Sequence, residues 1–188
     1  GRAEEDVIRA KMIEHDEQVG TLLKKLKELG VDDNTIVMYS TDNGNELTYR
    51  PDGGYAPFAG EKGTTWEGGV RVPCLMKWPG HIKPGSVSNG VQNHEDVYAT
   101  LAAAAGLPDL KDKLLKGYEM NGTKYKVHLD GYNNLDHWTG KSAKSARREI
   151  FYYDETDLMA IRVDAWKMHI GVKMTGSWFD PKAYPSVP

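Results

Sequence analysis

Thr35-Ile36-Val37-Met38-Tyr39-Ser40-Thr41-Asp42-Asn43-Gly44 is the stretch whose reading decides the fold of this chain. Its first six residues form a β-branched, apolar run of strand length, which reads as a buried strand. Ligand groups of open α/β sheets gather where strands end, so the acid and amide that follow, on backbone bent by glycine, point to a site. Asp-Asn-Gly is also an ordinary turn sequence, because Asn and Gly tolerate left-handed backbone and Asp bonds nearby N–H groups. The chemical reading therefore leans on what comes next. After a Gly- and Pro-containing stretch the chain runs Gly60-Glu61-Lys62-Gly63-Thr64-Thr65-Trp66-Glu67-Gly68-Gly69-Val70-Arg71, setting an ammonium group on a second sharply turning backbone. Two oxygen ligands and an ammonium suit a metal ion and an anion bound together. The order of a phosphate loop, Gly-x-x-x-x-Gly-Lys-Ser/Thr, is not met.

The Asp42-Asn43-Gly44 loop and the unbroken Gly60 to Arg71 segment resemble two signatures of the sulfatases, within the alkaline-phosphatase-like superfamily. Upstream, Met12-Ile13-Glu14-His15-Asp16-Glu17-Gln18-Val19-Gly20 is similar to the helix that precedes this strand in arylsulfatases. Downstream, Val72-Pro73 to Trp78-Pro79-Gly80, His94-Glu95-Asp96-Val97-Tyr98-Ala99-Thr100-Leu101 and Leu129-Asp130-Gly131-Tyr132 also match, in the family's order. The resemblance covers about positions 7 to 175 and corresponds to the C-terminal part of the family's pattern.

The resemblance implies an α/β fold: residues 1–122 as the later part of an alkaline-phosphatase-like α/β sandwich core, then residues 123–188 as a small, and perhaps truncated, antiparallel C-terminal domain. It implies a sulfuric ester hydrolase acting on a sulfate ester, with Asp42 and Asn43 as metal ligands and Lys62 as the catalytic, sulfate-binding charge. Calcium, which takes about 6 to 8 oxygen ligands, suits mixed carboxylate and amide donors, with magnesium or manganese as other divalent choices. Glu67 and Arg71 are read as partners that fix the loop, and Thr64 and Thr65 as side chains that bond the lysine-bearing turn. His15 lies in the helical pattern and receives no catalytic role.

Sulfatases make their nucleophile, formylglycine, from a Cys in a Cys-x-Pro/Ala-x-Arg motif. Cys74 is the single cysteine here, and Met76 and Trp78 stand where that motif has Pro or Ala and Arg. The N-terminal aspartate pair and the further Lys and His of the family's site are also missing. The chain thus carries part of an active site. A phosphonate monoester or phosphodiester hydrolase of the same superfamily, and a non-catalytic binding or assembly module, are the alternatives. A complementary N-terminal segment or a second copy is the expected partner, and the family setting is periplasmic or secreted.

Composition agrees with a globular chain. Of 188 residues, 39% are hydrophobic and 27% charged, enough to bury a core and unlike a disordered chain. A net charge of −3 provides no basic field for nucleic acid or an anionic membrane surface, and no apolar run is long enough for a membrane span. Gly1-Arg2-Ala3-Glu4-Glu5 carries no secretory signal pattern, and one cysteine forms no internal disulfide.

Elsewhere, Ile8, Met12, Val19, Leu22, Leu23 and Leu26 at helical spacing predict a long helix stopped by Gly30. Val70 to Trp78 reads as a strand closed by Pro79-Gly80, and Asn93 as the N-cap of a helix running to Ala105. Lys124 to His128, Glu149 to Tyr153, Leu158 to Val163 and Trp166 to Val172 read as short strands, the last two joined by a turn at Asp164-Ala165. Lys141, Lys144, Arg147 and Arg148 read as a solvated basic surface. The tryptophans read mainly as packing residues. Asn121-Gly122-Thr123 is a glycosylation sequon by pattern alone. His94-Glu95 fails as a zinc-protease opening because Tyr98 stands where the second His belongs.

Overall fold

The computed structural model describes residues 2–46 and 56–171. Val172 and Trp178 lie outside the described residues. Contacts divide the chain into two compact units, one of Gly1–Gly80, Tyr152–Ala160 and the segment from His169, the other of His81–Phe151 and Ile161–Met168. Among the described residues, no helix is long and apolar enough to cross a membrane.

In the first unit, α1 (Arg2–Glu28) is the predicted long helix, and Gly30 ends it by taking the left-handed φ of +67° that a C-terminal glycine accepts without strain. A single turn of 3-10 helix, Asp32–Asn34, leads into β1 (Val37–Ser40). His15 on α1 meets β1 through a 3.0 Å hydrogen bond between its Nε2 and the Tyr39 hydroxyl. α2 (Glu67–Val70) is one turn inside the glycine segment, and β2 (Cys74–Lys77) follows it. β2 pairs antiparallel with β1, Val37 opposite Lys77 and Ser40 opposite Cys74. Lys77 anchors the start of this ladder by an ion pair to Asp32. The expectation that β1 is a buried strand is corrected. In this two-stranded sheet Met38 and Tyr39, which point to opposite faces, are 37% and 42% exposed, so neither face of the strand is fully covered. The predicted strand at Val70 to Trp78 is shorter than read, since Val70 ends α2.

The second unit is built around α3 (Glu95–Ala104), α4 (Leu110–Lys116) and α5 (Leu135–Trp138), with Ala99, Ala103, Leu110, Leu114 and Trp138 buried. α3 starts two residues after Asn93, and its start is secured differently from the reading: the Asp96 carboxylate accepts the Asn93 N–H at 2.9 Å. β3 (Tyr118–Met120) and β4 (Thr123–Tyr125) form a hairpin whose turn is Asn121-Gly122, both residues at positive φ. The sequon therefore sits on a hairpin tip.

β5 (Glu149–Asp154), β6 (Asp157–Val163) and β7 (Trp166–His169) form a three-stranded sheet in that order, as successive hairpins whose two-residue links include Glu155 and Asp164 at positive φ. The small antiparallel sheet expected near the C-terminal end is thus present with three of its four expected strands; the segment expected at Lys124 to His128 is instead the β4 arm of the separate hairpin, ending at Tyr125.

The reading of Arg147 as part of a solvated surface is overturned. Arg147 is 5% exposed, and its guanidinium donates to both oxygens of Asp96, itself 0% exposed, at 2.9 to 3.1 Å. Asp96 also accepts the Tyr132 N–H at 2.7 Å, and Asn134 and Thr100 close the network. Burial works against the Arg147 charge, but the Asp96 hydrogen bonds and charge outweigh it and hold the guanidinium above its ordinary pKa. A buried cation survives because it is paired and hydrogen-bonded on every side. Arg148 does stay exposed, paired with Asp164 at 3.0 Å.

Candidate functional site

Two loops of the first unit carry the candidate site residues. Asp42 and Asn43 follow the end of β1, where the sequence placed them. The Thr41 hydroxyl reaches Asp42 Oδ1 at 3.4 Å, and Asp42 is exposed. Asn43 donates through Nδ2 to the Gly44 carbonyl at 2.8 Å, which engages the amine end of the amide and leaves Oδ1 as its acceptor.

The Lys62 loop lies directly against this turn. The Lys62 N–H donates to the Asn45 carbonyl at 2.9 Å, and the Gly44 N–H donates to the Gly69 carbonyl at 2.8 Å. Backbone therefore joins the two motifs at two points, on either side of the glycine segment.

Glycine is what permits this approach. A Cβ on Gly44 would sit 1.7 Å from the Gly68 carbonyl oxygen, and one on Gly68 would sit 2.3 Å from the Gly60 carbonyl oxygen. Gly60 itself takes φ +90°, closed to most L side chains. The Thr64 hydroxyl donates to the Glu61 carbonyl at 2.7 Å and accepts the Glu61 N–H at 3.2 Å, so the lysine-bearing turn is bonded by a threonine as expected. The guanidinium of Arg71 lies 4.5 Å over the Phe58 ring.

Lys62 projects from this frame with 41% of its side chain exposed, and its Nζ lies 3.4 Å from Glu46 Oε2. Glu46 was not singled out in the sequence. It lies three residues beyond Asn43, outside the motif, and only the folded loop shows that it meets Lys62. A second missed contact is His169, whose ring stacks on Trp66 at 4.6 Å between centroids. Its sole signal in the sequence was its place inside the alternating segment from Trp166 to Val172.

The donor set fits a hard divalent cation in kind, a carboxylate and an amide oxygen on adjacent residues, and supplies part of a shell. Among the described residues no group of three or more His, Cys, Asp or Glu is placed to hold a metal ion. Cys74 does not fit a formylglycine precursor. It sits exposed in β2 opposite Ser40, and Met76 and Trp78 stand where the precursor motif has Pro or Ala and Arg.

The sulfatase family profile matches residues 9–107. N-acetylgalactosamine-6-sulfatase of Rattus norvegicus is 35% identical over 167 residues, covering 88% of this chain and 29% of that protein. Arylsulfatase A of Homo sapiens is 34% identical over 184 residues, covering 93% of this chain and 33% of that protein. The crystal structure of PsFucS1 sulfatase from Pseudoalteromonas sp. superposes with a TM-score of 0.74 at 34% identity, over 87% of this chain and 30% of that one. The chain thus spans about three tenths of the length of the relatives it matches. A family profile over more than half of its residues, running through both site loops, establishes that this chain belongs to the sulfatase family.

Proposed function

We propose that this chain is the later portion of a sulfatase that hydrolyses a sulfate ester, to which it contributes two metal ligands, Asp42 and Asn43, and a sulfate-binding catalytic charge, Lys62. The observation that carries this reading is the double backbone junction, Lys62 N–H to Asn45 and Gly44 N–H to Gly69, which holds the oxygen donors and the ammonium in one small frame. In this reading residues 1–122 are the later part of an α/β sandwich core and residues 123–188 a small antiparallel domain.

In hydrolysis the S–O bond to the ester oxygen breaks, the alcohol or phenol leaves with a proton, and sulfate is released. Negative charge grows on the bridging oxygen as that bond opens. Lys62, a compact ammonium on a fixed turn, places positive charge on a sulfate oxygen and on that bridging oxygen without reorganising. Asp42 and Asn43 would hold the divalent cation, calcium being the best match to their donors; when bound it supplies charge to a sulfate oxygen. The nucleophile, a formylglycine in this family, comes from outside the chain.

The test is to assay the parent protein containing this chain with 4-nitrophenyl sulfate and with a phenyl phosphonate monoester. Preferential turnover of the sulfate supports the proposal. Preferential turnover of the phosphonate replaces it with the phosphonate hydrolase reading, and turnover of neither moves the chain to a binding module.

A further inference from the structure

The loop that carries Lys62 is held at another point, by a residue that no motif marks. His169, the last residue of β7, lays its imidazole against the Trp66 indole, with centroids 4.6 Å apart and planes tilted by 33°. Aromatic rings about 4.5 to 7 Å apart in offset or tilted arrangements attract one another beyond the area they bury. Trp66 is a strategic place for such a contact. It is the residue from which α2 starts, and a Cβ on Gly60 would lie 2.4 Å from the Trp66 Cβ, so Trp66 touches both ends of the Lys62 turn.

His169 stands on fixed backbone. The N–H groups of Ile170 and Gly171 both donate to the Met159 carbonyl, at 2.8 and 3.0 Å, and a Cβ on Gly171 would meet Met159 Cε at 2.8 Å. The ring's Nδ1 is buried and has no hydrogen-bond partner among the described residues. That atom adds nothing to the ring's placement, which the stack on Trp66 supplies.

We propose that His169 is a positioning residue for Lys62, acting through Trp66. This rests on the sulfate-binding reading of Lys62. The chain of contacts is short: β6 pins the end of β7, His169 presses on Trp66, and Trp66 fixes the turn from Gly60 to Gly69, whose backbone holds the Asp42-Asn43 loop. Small misplacement of a charge in a preorganised site costs turnover more than it costs substrate binding.

The experiment compares wild type, His169→Ala and His169→Phe in two measurements. In the first, amide hydrogen exchange of this chain is followed at residues 60–69 and at α3, which belongs to the other compact unit. His169→Ala should speed exchange at 60–69 by about tenfold or less, the range an aromatic pair supports, and leave α3 unchanged. His169→Phe, which keeps a ring in place, should restore wild-type exchange. In the second, the parent protein's kcat on a sulfate ester should fall in His169→Ala by more than KM rises, and recover in His169→Phe. Unchanged exchange at 60–69 in His169→Ala, equal acceleration in α3, a kcat untouched by the alanine variant, or a phenylalanine variant as impaired as alanine would each overturn the proposal. If the wild-type parent turns over no sulfate ester, the reading of Lys62 fails, and the exchange data alone decide whether His169 holds the loop.

Discussion

Gly44 and Gly68 approach so closely that a Cβ on the first would lie 1.7 Å from the carbonyl oxygen of the second. The contact is backbone on backbone, so no side chain can swing aside. Gly44→Ala should therefore part the two site loops, with a cost of about 1 to 3 kcal/mol in stability, as for other overpacked sites. Thermal unfolding measures that cost, and exchange at residues 60–69 shows whether the opening is local. An alanine variant with wild-type stability and exchange would mean that the loops are not joined as described.

Arg147 is the structural centre of the second unit. It pairs with the half-exposed Glu95 and with Asp96, which is 0% exposed, so Arg147→Ala removes the cation that the buried Asp96 carboxylate is paired with. Removing one partner of a buried pair costs about 3 to 5 kcal/mol. Chemical denaturation of Arg147→Ala should show a loss of that order, whereas Arg148→Ala, removing an exposed pair with Asp164, should change stability little.

Glu46 pairs with Lys62, its carboxylate 3.4 Å from the ammonium. If Lys62 binds sulfate as proposed, that carboxylate competes with the substrate for the same charge. Pairs this exposed are worth about 0.2 to 1 kcal/mol, so Glu46→Gln in the active parent should lower KM for a sulfate ester by up to about 5-fold. Steady-state kinetics decides the matter. A KM that rises would instead make Glu46 a support that aims Lys62.

Legibility in the sequence divided along physical lines. The helix ending at Gly30, the hairpin turn at Asp164 and the places of the Asp42 and Lys62 turns were readable because local rules govern them: helical spacing, a stop glycine and turn chemistry, with the junction of the two turns supplied only by the fold. The burial of Arg147 was not. An arginine beside Lys141 and Lys144 looks solvated until the tertiary fold brings Asp96 to it from 51 positions away. The half-exposed β1 also escaped, because Ile36 and Val37 report what a strand is suited to bury rather than what covers it. α4 and α5, at seven and four residues, are too short for periodicity to reveal. Glu46 and His169 were missed because neither belongs to a motif and each acquires its partner only on folding.

The apolar surface of the first unit predicts association. Met12, Ile13, Leu22 and Leu29 on or just after α1 are 55% to 67% exposed, and Leu75 on β2 is 66% exposed, in a sheet that has two strands among the described residues. Apolar patches and unpaired edges of this kind recruit another chain. Light scattering over a concentration series should show dimers or larger species of the isolated chain, reverting when the remainder of the parent is supplied. A cooperative monomer at high concentration would contradict this.

The central claim is that Lys62 acts in catalysis of sulfate ester hydrolysis, and its most direct measurement is the turnover of 4-nitrophenyl sulfate at saturating substrate by the parent protein with and without Lys62→Ala, alongside thermal unfolding of both. Loss of one preorganised charge at the transition state lowers rate by about 100- to 1000-fold, and a half-exposed lysine should leave the unfolding temperature nearly unchanged. Equal turnover by the two proteins would contradict the account.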